Sequence, residues 1–147
     1  MESNLDKRYQ TLVVLWFALL MSIGMYFLFS VLVAPSVIND PGNSSRSLLI
    51  VTLTALGTFL VIASFAVKRK LLERSVEKQD VSLVQKSLVI ACAMCEVSAL
   101  LGLLEHFIIG NREYYLLFLL AAAGTAAHFP RRNQLEAASY KSRNITG

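Results

Sequence analysis

Charged side chains are scarce in this sequence: they make up 16% of the 147 residues, against 55% hydrophobic. An ordinary soluble domain carries about 25% charge, so that class is excluded, and residues 1–147 read as a single membrane domain. Cysteine is scarcer still. The only two, Cys92 and Cys95, share one apolar run, which excludes an extracellular disulfide framework and leaves the redox compartment unread. Of the two histidines, His106 falls near the outer end of the third apolar run and His128 near the inner end of the fourth. Almost a bilayer apart, they cannot jointly ligate a haem or metal. There is no Gly-rich phosphate loop, no Ser-His-Asp set and no HExxH, so nothing supports a hydrolase or a nucleotide enzyme. The chain reads as non-enzymatic, with no cofactor and no metal.

What the sequence has in quantity is long apolar runs: Leu12 to Ala34 (23 residues), Leu48 to Val67 (20), Ser87 to Ile109 (23) and Tyr114 to Phe129 (16). A hydrocarbon core about 30 Å thick asks for roughly 20 helical residues. The first three runs satisfy that outright. The fourth is short, but Tyr114 and Tyr115 suit an interface and "HFPRRN" closes it with a proline and two arginines, so it is expected to cross as well. The first run exceeds the roughly 7 to 15 residues of a signal-peptide core, although "VLVAPS" loosely resembles a cleavage site, and it is kept as a span.

Lysine and arginine alternate along the chain: two before the first run, one (Arg46) after it, six between the second and third, one (Arg112) between the third and fourth, and four in the tail. Basic loops stay in the cytoplasm. The expectation is therefore an all-α, four-helix integral membrane protein, an antiparallel bundle with both termini cytoplasmic. Its helices cover about 10–34, 47–70, 82–109 and 112–129, and 130–147 form a cytoplasmic tail. The bacterial inner (plasma) membrane is the expected location.

The connections agree. "NDPGNSS" is a turn-rich outer loop, Asp80 or Ser82 can cap the third helix, and "GNRE" supplies a glycine stop and an asparagine start. "VKRKLLERSVEKQDVS" continues the second helix as a charged stub, either a solvated extension or a segment lying on anionic headgroups or a partner. Asn43 and Asn144 open formal glycosylation sequons, of which only Asn43 would face outward. Between lipid-immersed helices small residues mark close contacts. Gly57, Cys92, Cys95, Ala99, Gly102 and Gly124 are the packing candidates, while Met21, Met25, Phe27 and Phe29 read as lipid-facing or filler. The C-x-x-C spacing of "CAMC" is a buried structural pair, since a redox pair needs an exposed helix N-terminus.

One residue breaks the apolar pattern. Glu96 lies nine residues from Ser87 and thirteen from Ile109, near mid-bilayer, where loss of hydration disfavours a charged carboxylate. No Lys, Arg or His in the other runs matches its depth. Glu96 is thus expected either to be protonated and bonded to Thr54, Thr58, Ser22 or a backbone carbonyl, or to hold a small cation as a carboxylate. Glu105, one turn from the outer end, reads as interfacial, snorkelling towards water or Arg112.

The stretch "CEVSALLGLL", with Glu96, Ala99 and Gly102, resembles the ion-carrying helix of the rotary ATPase proteolipid, subunit c. That resemblance covers about twenty residues and implies that Glu96 binds and releases H⁺ or Na⁺ within a ring. The chain differs from the family in carrying a single glycine, Gly57, in the second helix, a long charged stub in place of a short loop, and two flanking helices. Two functions follow. One is an accessory or structural subunit of a larger membrane complex, with Glu96 buried and protonated. The other is a proton or Na⁺ channel, carrier or rotor protein. The partners implied are the lipid bilayer and other membrane subunits or further copies of the chain, with H⁺ or Na⁺ in the second case and no nucleic acid.

Overall fold

The structure, a computed structural model, describes residues 2–33, 44–110 and 112–139. The cleavage-like Pro35, most of the outer loop, Asn43, Asn111 and Asn144 lie outside the described residues. Within them the chain is all-α: α1 Glu2–Leu32, α2 Ser44–Lys78, α3 Val81–Leu104 running on into a π-helical turn Glu105–Ile109, α4 Tyr115–Ala127 and α5 Arg132–Ser139.

Three helices are long and apolar enough to cross a membrane, over Leu5–Leu32, Arg46–Lys78 and Val81–Ile109. The protein is therefore an integral, multi-pass membrane protein. The expected fourth crossing is corrected by the length of α4, 13 residues. At 1.5 Å per residue it reaches about 20 Å, short of the roughly 30 Å hydrocarbon core. Its limits have local causes. Gly110 stops the preceding turn in the left-handed region (φ 65), and Pro130, without a backbone N–H, separates α4 from α5. The return along the bundle is shared between two short helices. With three spans in place of four, the placement of both termini in the cytoplasm, expected from the alternation of lysine and arginine, falls as well.

The α2–α3 hairpin is the frame. Gln79 turns the chain with a positive φ of 52, and Asp80, in extended conformation, caps α3 by accepting the Ser82 backbone N–H at 2.9 Å. Beside that turn the charged stub packs along one face and leaves its other side chains exposed. Leu72 packs with Leu12, Val84, Leu88, Cys92, Leu135 and Ala138, and Ser75 is buried. The segment expected as a cytoplasmic tail contains a helix, α5. Its Leu135 and Ala138 are buried while Arg132 pairs with Asp6 and Glu136 at 3.1 Å each on the exposed side. Exposed ion pairs contribute about 0–1 kcal/mol, whereas burying a leucine is worth about 1.5–3 kcal/mol, so Leu135 is the anchor.

Higher in the bundle, large apolar side chains point outward, among them Met21, Met25, Phe27 and Phe29 on α1 and Phe59 and Ile62 on α2. The interior is built from small residues instead. A Cβ placed on Gly57 would lie 2.8 Å from a Leu117 methyl, and one on Gly124 would lie 2.9 Å from a Val61 methyl and 3.0 Å from Cys95 Sγ. On Gly102 it would meet Leu117 Cβ at 3.0 Å. α4 can approach α2 and α3 this closely only where those side chains are absent. Cys92, Cys95 and Ala99 are fully buried on the same face of α3.

Candidate functional site

Inside the apolar zone the polar groups of α3 reach hydroxyls on its two long neighbours. Glu96 is half-buried, with its Oε1 hydrogen-bonded to Ser22 Oγ of α1. Ser22 Oγ also lies 2.8 Å from the Leu19 carbonyl. A hydroxyl owns one proton, so these two acceptors compete for it unless the carboxyl brings its own.

Glu105 is the more enclosed carboxyl, at 1% exposure, and it accepts from Thr54 Oγ1 of α2 at 2.8 Å. The interfacial reading of Glu105 is corrected here. Its side chain turns inward because the hairpin register sets a donor opposite it, and Arg112 stays exposed. Thr54, expected as a partner for Glu96, serves Glu105 instead, and Thr58 is half-buried on the same helix without a described bond to either acid. Of the three side-chain partners considered for Glu96, the structure brings it to Ser22.

The π-helical turn gathers further groups at this end. The Gly110 N–H reaches the Glu105 and His106 carbonyls, and Arg46 of α2 donates to the Ile109 carbonyl. His106 is buried against the Tyr114 ring, centroids 4.2 Å apart, with Nε2 3.4 Å from the Val33 carbonyl. A π-turn widens one helical turn by a residue and often marks a functional position. Nothing in the sequence pattern announces it.

At the opposite end a second cluster surrounds the end of α4. His128 is buried with Nε2 2.8 Å from Ser64 Oγ, its ring against Phe65, and its carbonyl accepts from Lys68 Nζ at 2.9 Å. Ser64 Oγ also lies 2.6 Å from the Val61 carbonyl, so this hydroxyl links the α2 backbone to the His128 ring. Cys95 Sγ lies 3.7 Å from the same hydroxyl. Trp16 of α1 closes the cluster, donating to the Thr125 carbonyl at 2.7 Å and meeting Phe129 edge-on at 5.0 Å. Both cysteines are free thiols.

The two carboxyls, one on α3 and one on the π-helical turn that continues it, are nine residues apart, about 13 Å along the axis, and each has its own partner helix. They do not form one acidic pair. Among the described residues no group of three or more His, Cys, Asp or Glu side chains could hold a metal ion. Chemically the arrangement supplies two independent carboxyl–hydroxyl contacts, each joining α3 to a neighbour. Compared with known protein families, with characterised proteins and with solved structures, the chain matches none.

Proposed function

We propose that the protein is a non-enzymatic accessory or structural subunit of a larger membrane complex, in which the two intramembrane acids of α3 act as pins. The observation that carries this reading is the division of labour between them: Ser22–Glu96 ties α3 to α1, and Thr54–Glu105 ties it to α2. In lipid such bonds hold helices in register because the hydrophobic effect cannot. Glu96 is protonated in this reading. With the Ser22 proton on the Leu19 carbonyl, the contact with Glu96 is satisfied by a carboxyl proton given to Ser22 Oγ. The outward apolar faces of α1 and α2 then meet lipid or neighbouring subunits.

A second reading draws on the partial exposure of Glu96. On the bundle surface a neighbouring copy could complete an H⁺ or Na⁺ site around it, as the resemblance to subunit c implies. Reconstituting the wild-type and Glu96→Gln chains in vesicles, with H⁺ and Na⁺ flux followed and the extracted complex weighed by native mass spectrometry, separates the two. The accessory reading expects equal flux from both chains and recovery at a fixed ratio with larger membrane proteins. A homomeric ring whose flux disappears in Glu96→Gln contradicts it.

A further inference from the structure

Along α3 and the π-helical turn that continues it, Ile90, Val97, Leu100, Leu104 and Ile108 are exposed and recur in steps that keep them on one face. This strip runs between two neighbours that barely meet. α1 reaches α3 at Glu96 and Ala99, α2 reaches it at Cys95 and, one element on, at Glu105, and little packing passes directly between α1 and α2. Glu96 stands on the edge of the strip. At about 100° per residue it lies about 40° from exposed Leu100 on one side and about 40° from buried Cys92 on the other.

Its carboxyl is only half answered. Oε1 meets Ser22, while among the described residues no hydrogen bond reaches Oε2. Glu96 lies near the middle of the span Val81–Ile109, where water is absent and an acyl chain offers no donor, so an acceptor oxygen left bare there is expensive. The missing donor therefore arrives on something that itself crosses the lipid. A second copy inserted the same way is a poor source. The pairs Thr54–Glu105 and Ser64–Cys95 set Ala63 of α2 level with Glu96, as Ser22 is on α1. The exposed hydroxyls of α1 and α2 nearest that level, Thr11 and Thr52, stand eleven residues from it, about 16 Å, and Tyr115 stands at the start of α4. We infer that the α3 strip seats one transmembrane helix of a partner subunit, whose hydroxyl or amide side chain at mid-bilayer donates a hydrogen bond to Glu96. This rests on the accessory-subunit reading and names the contact through which the subunit joins its complex.

The test uses the full chain in phosphatidylcholine vesicles, labelled with an energy-transfer donor, and two acceptor-labelled synthetic transmembrane helices of leucine and alanine, one with a central asparagine and one with leucine in its place. The asparagine helix is expected to associate about fivefold more tightly than the leucine helix, and Glu96→Leu is expected to erase that preference. Val97→Trp, which fills the strip and leaves Glu96 in place, is expected to weaken the asparagine helix to a similar degree, whereas Leu119→Trp, exposed on α4, leaves it unchanged. The inference is overturned if the two helices associate equally with the wild type, if Glu96→Leu keeps the preference, or if Leu119→Trp loses as much as Val97→Trp. Flux of H⁺ or Na⁺ that depends on Glu96 would bring down the accessory reading and this inference together, while equal association without flux brings down this inference alone.

Discussion

Thr54 and Glu105 stand at equal distances from the α2–α3 turn, twenty-five residues before Gln79 and twenty-five after Asp80, and meet with Thr54 Oγ1 2.8 Å from the carboxylate. Ser64 and Cys95 obey the same rule at fifteen residues. Two antiparallel helices with equal rise keep such pairs level along their whole length. The tight turn therefore selects which α2 side chain faces each α3 side chain.

Breaking that pair should expose a coupling. In a double-mutant cycle of Thr54→Val and Glu105→Gln, each followed by unfolding of the full chain in mixed micelles, the coupling is expected at about 0.6 kcal/mol and below about 1.7 kcal/mol. Additive effects would show that the two side chains do not support one another.

Glycine substitutions should divide by position. Gly124→Ala puts a methyl 2.9 Å from Val61 and 3.0 Å from Cys95, so it is expected to destabilise the bundle by about 1–3 kcal/mol. Gly24→Ala meets nothing within 4 Å and is expected to be neutral or mildly stabilising in the same unfolding assay.

The α3 cap should be acid-sensitive. Hydrogen bonds from the Ser82 hydroxyl and backbone N–H hold the Asp80 carboxyl below its ordinary range. A depressed folded-state value means that the cap's contribution is present above the unfolded value, about 3.9, and is lost as the pH falls through the folded one. Asp80→Ala is thus expected to lower the thermal midpoint by a few degrees at neutral pH, and the gap from the wild type should close in acid.

Removing the anchor of α5 should release it locally. Leu135→Ala truncates a side chain 2% exposed against Leu12, Val84 and Leu88, at a cost of about 2–5 kcal/mol. Hydrogen exchange is expected to rise across Arg132–Ser139 while α3 near Cys95 keeps its protection.

Much of the frame was legible in the residues. Run length and hydropathy gave the three long helices, and the small residues Gly57, Gly102 and Gly124 marked where helices close on one another, because lipid makes packing depend on size. Aspartate before an apolar run marked the α3 start. The fourth apolar run misled, since its composition suits a membrane but the stop at Gly110 and the break at Pro130 leave too few residues to cross. α5 does not stand out because its eight residues are mostly polar and make barely two turns, although its apolar side chains fall on one face. Glu105 was misplaced by judging it from its own helix. Its signal lay in Thr54, visible only once the turn at Gln79–Asp80 fixes the register. Glu96 stood out by composition, while the identity of its donor depends on how α1 packs, which no local pattern in α1 states.

The pin account is tested most directly by modification of Glu96 with a hydrophobic carbodiimide, followed across neutral pH with and without Na⁺. A protonated carboxyl bonded to Ser22 predicts a rate that stays flat with pH and unchanged by Na⁺. A rate that falls as pH rises through neutrality and is suppressed by Na⁺ would contradict it and assign Glu96 to ion exchange.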